Sequence, residues 1–174
     1  MNTCELNRKA AEIAPLIRMS ASAEGNAFVS FEACADMHGV DSAAAISAAA
    51  GEKTISVEGL GTFTVTAPAA SGALRGKIAI VTGSAQGFGA GIAEYLASEG
   101  ACVAIVDMNA DGARAEAEKI SEKYGTRTIA VSANVTDEES VRARIDETVC
   151  AFGGLDVFVN NAGIVRAGSL TEMT

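Results

Sequence analysis

Three glycines, Gly83, Gly87 and Gly89, stand at spacings of four and two inside the stretch KIAIVTGSAQGFG, between a short apolar run and the start of a helical stripe. The chemistry they suit is anion binding: a turn without side chains lets backbone N–H groups and a helix N-terminus come close to a diphosphate. Gly83 permits a sharp exit from the strand, while Gly87 and Gly89 keep the phosphate side open and let the helix pack tightly. Asp107 lies 24 positions after Gly83 (107 − 83) at the end of a second apolar run. A carboxylate there accepts hydrogen bonds from both hydroxyls of an adenosine ribose and repels a 2′-phosphate. Met108 follows it, and the turn carries Gln86 rather than Arg or Lys, so no cation is evident to hold that phosphate. The expected cofactor is NAD rather than NADP; a solvated loop aspartate or a helix cap is the plainer reading of Asp107.

The elements that must position these residues are regular from Lys77 onward. Ile78 to Val81 is an unbroken apolar run, as in a parallel strand covered on both faces. Ala90, Ile92, Ala93 and Leu96 follow at helical period, and the helix closes at Gly100. Ala101 to Val106 reads as a second strand. Asn109 caps a helix burying Ala113, Ala117, Ile120 and Tyr124 on one face, and Gly125 ends it. Thr128 to Val131 is a short strand. Thr136 caps a helix with the stripe Val141, Ile145, Val149 and Phe152, and Leu155 to Val159 leads into Asn160-Asn161-Ala162-Gly163. This alternation implies right-handed crossovers and an α/β, Rossmann-type doubly wound parallel sheet of about four strands. Ligands of such sheets sit beyond the carboxyl ends of the strands, where Gly83 to Gly89, Asp107, Asn134 and Asn161 converge.

Composition excludes other classes. Against 13 basic residues there are 22 acidic ones, a net charge of −9, which opposes nucleic-acid and anionic-membrane partners. A small-molecule ligand fits better. Cys4, Cys34, Cys102 and Cys150 form no CxxC pair, and His38 is the only histidine, so no metal is expected. Cys102 and Cys150 fall inside apolar patterns as reduced core thiols, which suits a cytoplasmic protein. The N-terminus carries charges throughout, unlike a signal peptide, and no run spans a bilayer.

Residues 1–66 read as a small α+β segment and 67–76 (APAASGALRG from Ala67 on) as a linker to the unit 77–174. Leu6, Ala10, Ile13 and Ile17 predict an amphipathic helix that Pro15 must kink or interrupt. Ala27 to Ala33 is a candidate strand, Asp41 to Ala50 a capped helix, and Lys53 to Val57 with Thr62 to Ala67 a hairpin around Glu58-Gly59-Leu60-Gly61. His38 reads as a turn or surface histidine. The hairpin faintly resembles the β-arm of bacterial histone-like proteins and the closing hairpin of class II sugar aldolases, but the acidity opposes the first and the missing histidine cluster the second.

Thr82-Gly83-Ser84-Ala85-Gln86-Gly87-Phe88-Gly89 resembles the TGxxxGxG turn of short-chain dehydrogenases/reductases, and Asn160-Asn161-Ala162-Gly163 resembles that family's NNAG motif. The resemblance covers about residues 75–174. With GIVRAGSLTEM, the Gln-Gly-Phe-Gly variant is similar to polyol dehydrogenases of the sorbitol-6-phosphate 2-dehydrogenase type. It implies that Ser84, Gln86, Gly87 and Phe88 line the diphosphate and nicotinamide-ribose side, with Asp107 and Met108 at the adenine ribose. It also implies that Asn134 and Val135 border the adenine and that Asn161, Ala162 and Gly163 pass close to the cofactor. Asn134 departs from the family's usual aspartate, and Asn160 reads as a side-chain tie between strands. The family's catalytic serine, tyrosine and lysine have no counterpart in these 174 residues: Tyr95 and Tyr124 have no lysine four residues later and read as structural. The expectation is therefore a truncated NAD-dependent oxidoreductase whose complete form interconverts a secondary alcohol and a ketone, assembling as a homo-oligomer. A non-catalytic dinucleotide-binding or redox-sensing module is the alternative. With strand four as an open edge, the isolated chain is expected to be poorly stable or to self-associate.

Overall fold

The computed structural model describes residues 3–21, 27–33, 54–57, 60–67 and 71–164. His38, the helix expected over 41–50, Cys34 and Arg166 to Thr174 lie outside them.

Helix α1 (Thr3–Ala21) is followed by β1 (Phe28–Ala33), β2 (Thr54–Val57) and β3 (Gly61–Thr66). These strands form an antiparallel sheet of order β1-β3-β2, with Phe31 opposite Phe63 and Val57 opposite Gly61. Of the kink or interruption expected at Pro15, the interruption does not occur: α1 runs through the proline. Its apolar stripe explains why, since Leu6, Ala10, Ile13, Ala14 and Ile17 are all buried, and packing on both sides of Pro15 outweighs one lost backbone hydrogen bond.

The second sheet is parallel. Its strands are β4 (Ile78–Thr82), β5 (Cys102–Asp107), β6 (Thr128–Ser132) and β7 (Val157–Val159), in the order β6-β5-β4-β7. Helices α2 (Gly87–Ser98), α3 (Ala110–Tyr124) and α4 (Glu138–Phe152) make the crossovers. The α/β doubly wound architecture is thus the one expected from the sequence. Alternation along β5 divides the core: Val103 and Ile105 meet Ala93, Ala97, Ala117 and Ile120 of α2 and α3, while Cys102, Ala104 and Val106 join a layer with Phe152 of α4. Among the described residues β7 pairs only with β4 and forms the sheet edge.

Helix α4 is buried on two sides. Val149 and Cys150 pack with Leu6, Ile13, Ile17, Val29, Ile55 and Phe63 of the N-terminal elements. Residues 71–76 form turns whose Leu74 N–H bonds to the Glu99 carbonyl at 2.8 Å. Arg18 is 7% exposed. Its guanidinium donates to the Ala27 and Gly76 carbonyls at 3.0 and 2.7 Å and to Asp156 at 2.9 Å. Asp156 also accepts the Ile78 N–H at 2.8 Å, so one partly buried ion pair fastens α1 to the start of β4 and β7. Cys102 and Cys150 are buried free thiols, the latter donating to the Asn7 carbonyl at 3.3 Å.

Candidate functional site

The carboxyl ends of β4, β5, β6 and β7 open into a cleft of about 610 Å³. Gly83, Gln86 and Gly87 line it from the first loop, Asp107 and Met108 from the second, Asn134 and Val135 from the third, and Asn161, Ala162 and Gly163 from the fourth. Ten of the residues singled out in the sequence therefore share one cavity.

The glycine turn owes its shape to local conformation. Gly83 has φ +66° and Gly87 φ +63°, the left-handed region that side chains disfavour. A Cβ on Gly87 would meet nothing, so the turn is open there, whereas one on Gly89 would collide with the Gly83 carbonyl and the Asn161 amide. Close helix packing at Gly89 and an open face at Gly87 are two consequences of the same turn. Gln86 occupies the N-cap of α2 without a side-chain cap bond, leaving the first-turn N–H groups without that acceptor. Phe88 is 90% exposed beside it.

Asp107 is fixed at the rim. Oδ2 accepts the Ala85 N–H and Oδ1 the Asn109 N–H, both at 3.0 Å. A carboxylate has about four lone-pair sites, so acceptor capacity remains on both oxygens. Asn109 in turn caps α3 by accepting the Gly112 N–H at 3.0 Å, as expected. Asn134 Oδ1 accepts the Thr136 N–H and hydroxyl at 3.1 and 2.8 Å. Thr136 consequently is not the helix cap; that place belongs to Asp137, which accepts the Glu139 N–H at 3.1 Å.

Two further expectations change. Ser84 lies beneath the cleft rather than in it: its fully buried hydroxyl donates to the Val81 carbonyl at 2.6 Å and accepts the Val106 N–H at 3.0 Å, joining β4 to β5. The strand tie assigned to Asn160 is made by Asn161, whose Nδ2 donates to the Thr82 and Gly83 carbonyls at 3.0 and 3.2 Å. Asn160 lines a separate cavity of about 150 Å³ with Thr82 and Phe158.

Sequence reasoning missed Thr82 as a positioning residue. Its buried hydroxyl accepts the Asn161 and Ala162 N–H groups, each at 3.0 Å, and donates to the Val159 carbonyl at 3.3 Å. Threonine at the end of an otherwise aliphatic strand was the available signal. Tyr124 donates to Glu94 at 3.1 Å, away from the cleft, consistent with a structural role. Among the described residues, no group of three or more His, Cys, Asp or Glu is arranged to hold a metal, and no helix is long and apolar enough to cross a membrane.

The sequence model described as short chain dehydrogenase matches residues 77–174. Over 93 residues the chain is 44% identical to the 3-oxoacyl-(acyl-carrier-protein) reductase FabG of Aquifex aeolicus, covering 53% of this chain and 38% of that protein. Over 101 residues it is 41% identical to the D-threitol dehydrogenase of Mycolicibacterium smegmatis, covering 58% and 38%. The crystal structure of L-sorbose reductase from Gluconobacter frateurii, complexed with NADPH and L-sorbose, superposes with a TM-score of 0.54 at 36% identity, over 62% of this chain and 39% of that one. The chain thus spans under two-fifths of the length of each of these relatives.

Proposed function

The chain belongs to the short chain dehydrogenase family, and on that premise we propose that the cleft holds NAD. The dinucleotide supplies a carrier for hydride; the residues described here bind and orient it. The N–H groups of the turn from Gly83 to Gly89, other than those of Ser84 and Ala85 that bond to the Val106 carbonyl and Asp107, and the uncapped start of α2 hold the diphosphate, with Gln86 and Phe88 on the nicotinamide-ribose side. Ser84 supports the turn from below. Asp107 accepts the two hydroxyls of the adenine ribose, Met108 covers its outer side, and Asn134 and Val135 border the adenine. Asn161, Ala162 and Gly163 run beside the cofactor, held by Thr82.

The observation that carries the choice of NAD is the fixed carboxylate of Asp107, tied to both the glycine turn and the start of α3. A 2′-phosphate placed against it meets like charge with no compensating cation in the turn. The NADPH in the sorbose reductase makes this a discriminating test. Isothermal titration of the chain with NAD⁺ and NADP⁺ is expected to show tighter binding of NAD⁺; equal or tighter binding of NADP⁺ overturns the assignment.

For a protein of the relatives' length carrying this unit, the proposed reaction interconverts a secondary alcohol of a sugar or polyol and its ketone. The names D-threitol dehydrogenase and L-sorbose reductase support that substrate class, within which a sorbitol-6-phosphate 2-dehydrogenase specificity falls. Such a protein is proposed to work in the cytoplasm as a homo-oligomer. The linker near residues 67–76 and the unit beginning at 77 are proposed as its domain boundary.

A further inference from the structure

The third loop of the cleft is shaped by one side chain folded back on its own backbone. Asn134 Oδ1 accepts the Thr136 N–H at 3.1 Å and the Thr136 hydroxyl at 2.8 Å. An amide oxygen has two lone pairs, so both are spent inside the loop. The same contacts fix which way the amide lies. Turned over, Nδ2 would meet the Thr136 N–H, donor against donor, so the network itself assigns oxygen and nitrogen. The backbone is held as well: the Asn134 N–H donates to the Ser140 hydroxyl at 3.2 Å, and the Asn134 carbonyl accepts the Asp137 N–H at 3.1 Å.

What Asn134 keeps for a ligand is therefore a donor. Asn134 and Val135 line the cleft, and neither Asn134 Nδ2 nor the Val135 N–H has a hydrogen-bond partner among the described residues. An asparagine reads adenine by using both amide atoms at once, the oxygen accepting from the 6-amino group and the nitrogen donating to N7. With Oδ1 spent, Asn134 has no atom left to receive the amino group, and Nδ2 placed against it sets donor against donor. A purine with oxygen at position 6 presents O6 and N7, two acceptors side by side, and this edge suits an N–H donor at every point.

Given the dinucleotide reading of the cleft, on which this rests, we propose that Asn134 makes the base end of the site indifferent to the 6-amino group of adenine. The cleft then takes a dinucleotide carrying a 6-oxopurine at least as tightly as NAD. Asp107 serves a ribose that both dinucleotides share, and the glycine turn serves a shared diphosphate, so the difference between the two ligands reports on the third loop alone.

The test is isothermal titration of the chain with NAD⁺ and with nicotinamide hypoxanthine dinucleotide, read as the ratio of the two dissociation constants. The parent chain is expected to bind the hypoxanthine form as tightly as NAD⁺ or more so. Asn134→Asp keeps the size of the side chain, lets one oxygen serve Thr136 and turns the other into an acceptor. It is expected to shift the ratio toward NAD⁺ by about threefold or more, the scale of one net hydrogen bond. Thr136→Val frees one lone pair of Oδ1 and is expected to move the ratio in the same direction. Asp107→Asn is expected to weaken both ligands by the same factor and leave the ratio where it was. A parent chain that prefers NAD⁺ by about threefold or more, or a ratio unmoved by both Asn134→Asp and Thr136→Val, overturns the inference while the cofactor reading stands. Absence of saturable binding of both dinucleotides overturns the cofactor reading, and the inference with it.

Discussion

The Asp107 carboxylate and the Ala85 backbone are joined by a hydrogen bond of 3.0 Å that crosses from the tip of β5 to the glycine turn after β4. The group proposed to recognise the ribose is therefore also a strut of the phosphate turn. Asp107→Asn keeps an acceptor for one of the two N–H groups it serves but removes the charge. It is expected to lower NAD⁺ affinity about tenfold, in line with the ~1.4 kcal/mol scale of one charge-assisted hydrogen bond. NADP⁺ affinity is expected to change less or to rise. The ratio of the two dissociation constants is the measurement; a parallel fall in both would assign Asp107 to turn structure alone.

Gly87 and Gly89 separate two kinds of glycine requirement. Gly87→Ala introduces a side chain into open space and costs only the left-handed strain, about 1–2 kcal/mol. Gly89→Ala drives a methyl into the Gly83 carbonyl and is expected to cost distinctly more in urea denaturation, and to abolish NAD⁺ binding.

Thr82→Val keeps shape but strips the hydroxyl that receives two N–H groups of the fourth loop. Those donors are partly buried, so a loss of about 1–3 kcal/mol is expected, accompanied by weaker NAD⁺ binding. Thr82→Ser is expected to restore both.

How much of this was readable in the sequence divides by range. Apolar period and glycine placement specify β4, α2, β5, α3 and the convergence of four loops, because those signals come from residues within one element. Arg18 and Asp156 stand 138 positions apart, and no local pattern pairs them. The same limit hid Thr82: its partners belong to a loop nearly 80 residues later. That α1 continues uninterrupted through Pro15 has a related cause, since the packing of α1 on α4 outweighs local propensity. Ser84 and Asn160 show that a motif places a backbone more securely than it assigns each side chain.

Arg18→Met leaves Asp156 partly buried beside a single N–H donor. The pair is only partly buried, with a quarter of the Asp156 side chain exposed, so the loss is expected to fall below that of a fully buried pair, at about 1–3 kcal/mol, and to appear as a drop in the urea midpoint. An unchanged midpoint would show that α1 is only loosely attached.

Alkaline pH provides an independent check on the core. Burial pushes the Cys102 thiol from its ordinary 9.0 up to about 11, partly opposed by Arg127, and the Cys150 thiol up to about 12, reinforced by Asp146 and Glu147. The folded chain keeps protons that the unfolded chain releases, so this contribution is fully present below pH 9 and is lost as pH rises toward 11 to 12. The slope is of order 1.4 kcal/mol per pH unit for each thiol while only the unfolded state ionises. Melting temperatures are expected to fall steeply above pH 9 and to flatten in a Cys102→Ala, Cys150→Ala double variant.

The two-sided burial of α4 bears on how such a chain is inherited. A gene exchange at residue 76 would look clean on paper, since a composition change falls there, yet it would strip Val149 and Cys150 of their cover and Asp156 of its cation. The incoming partner would have to offer a matching apolar helix and an arginine at the same depth. The segment before the glycine turn and the sheet that bears it are therefore expected to travel and to change together.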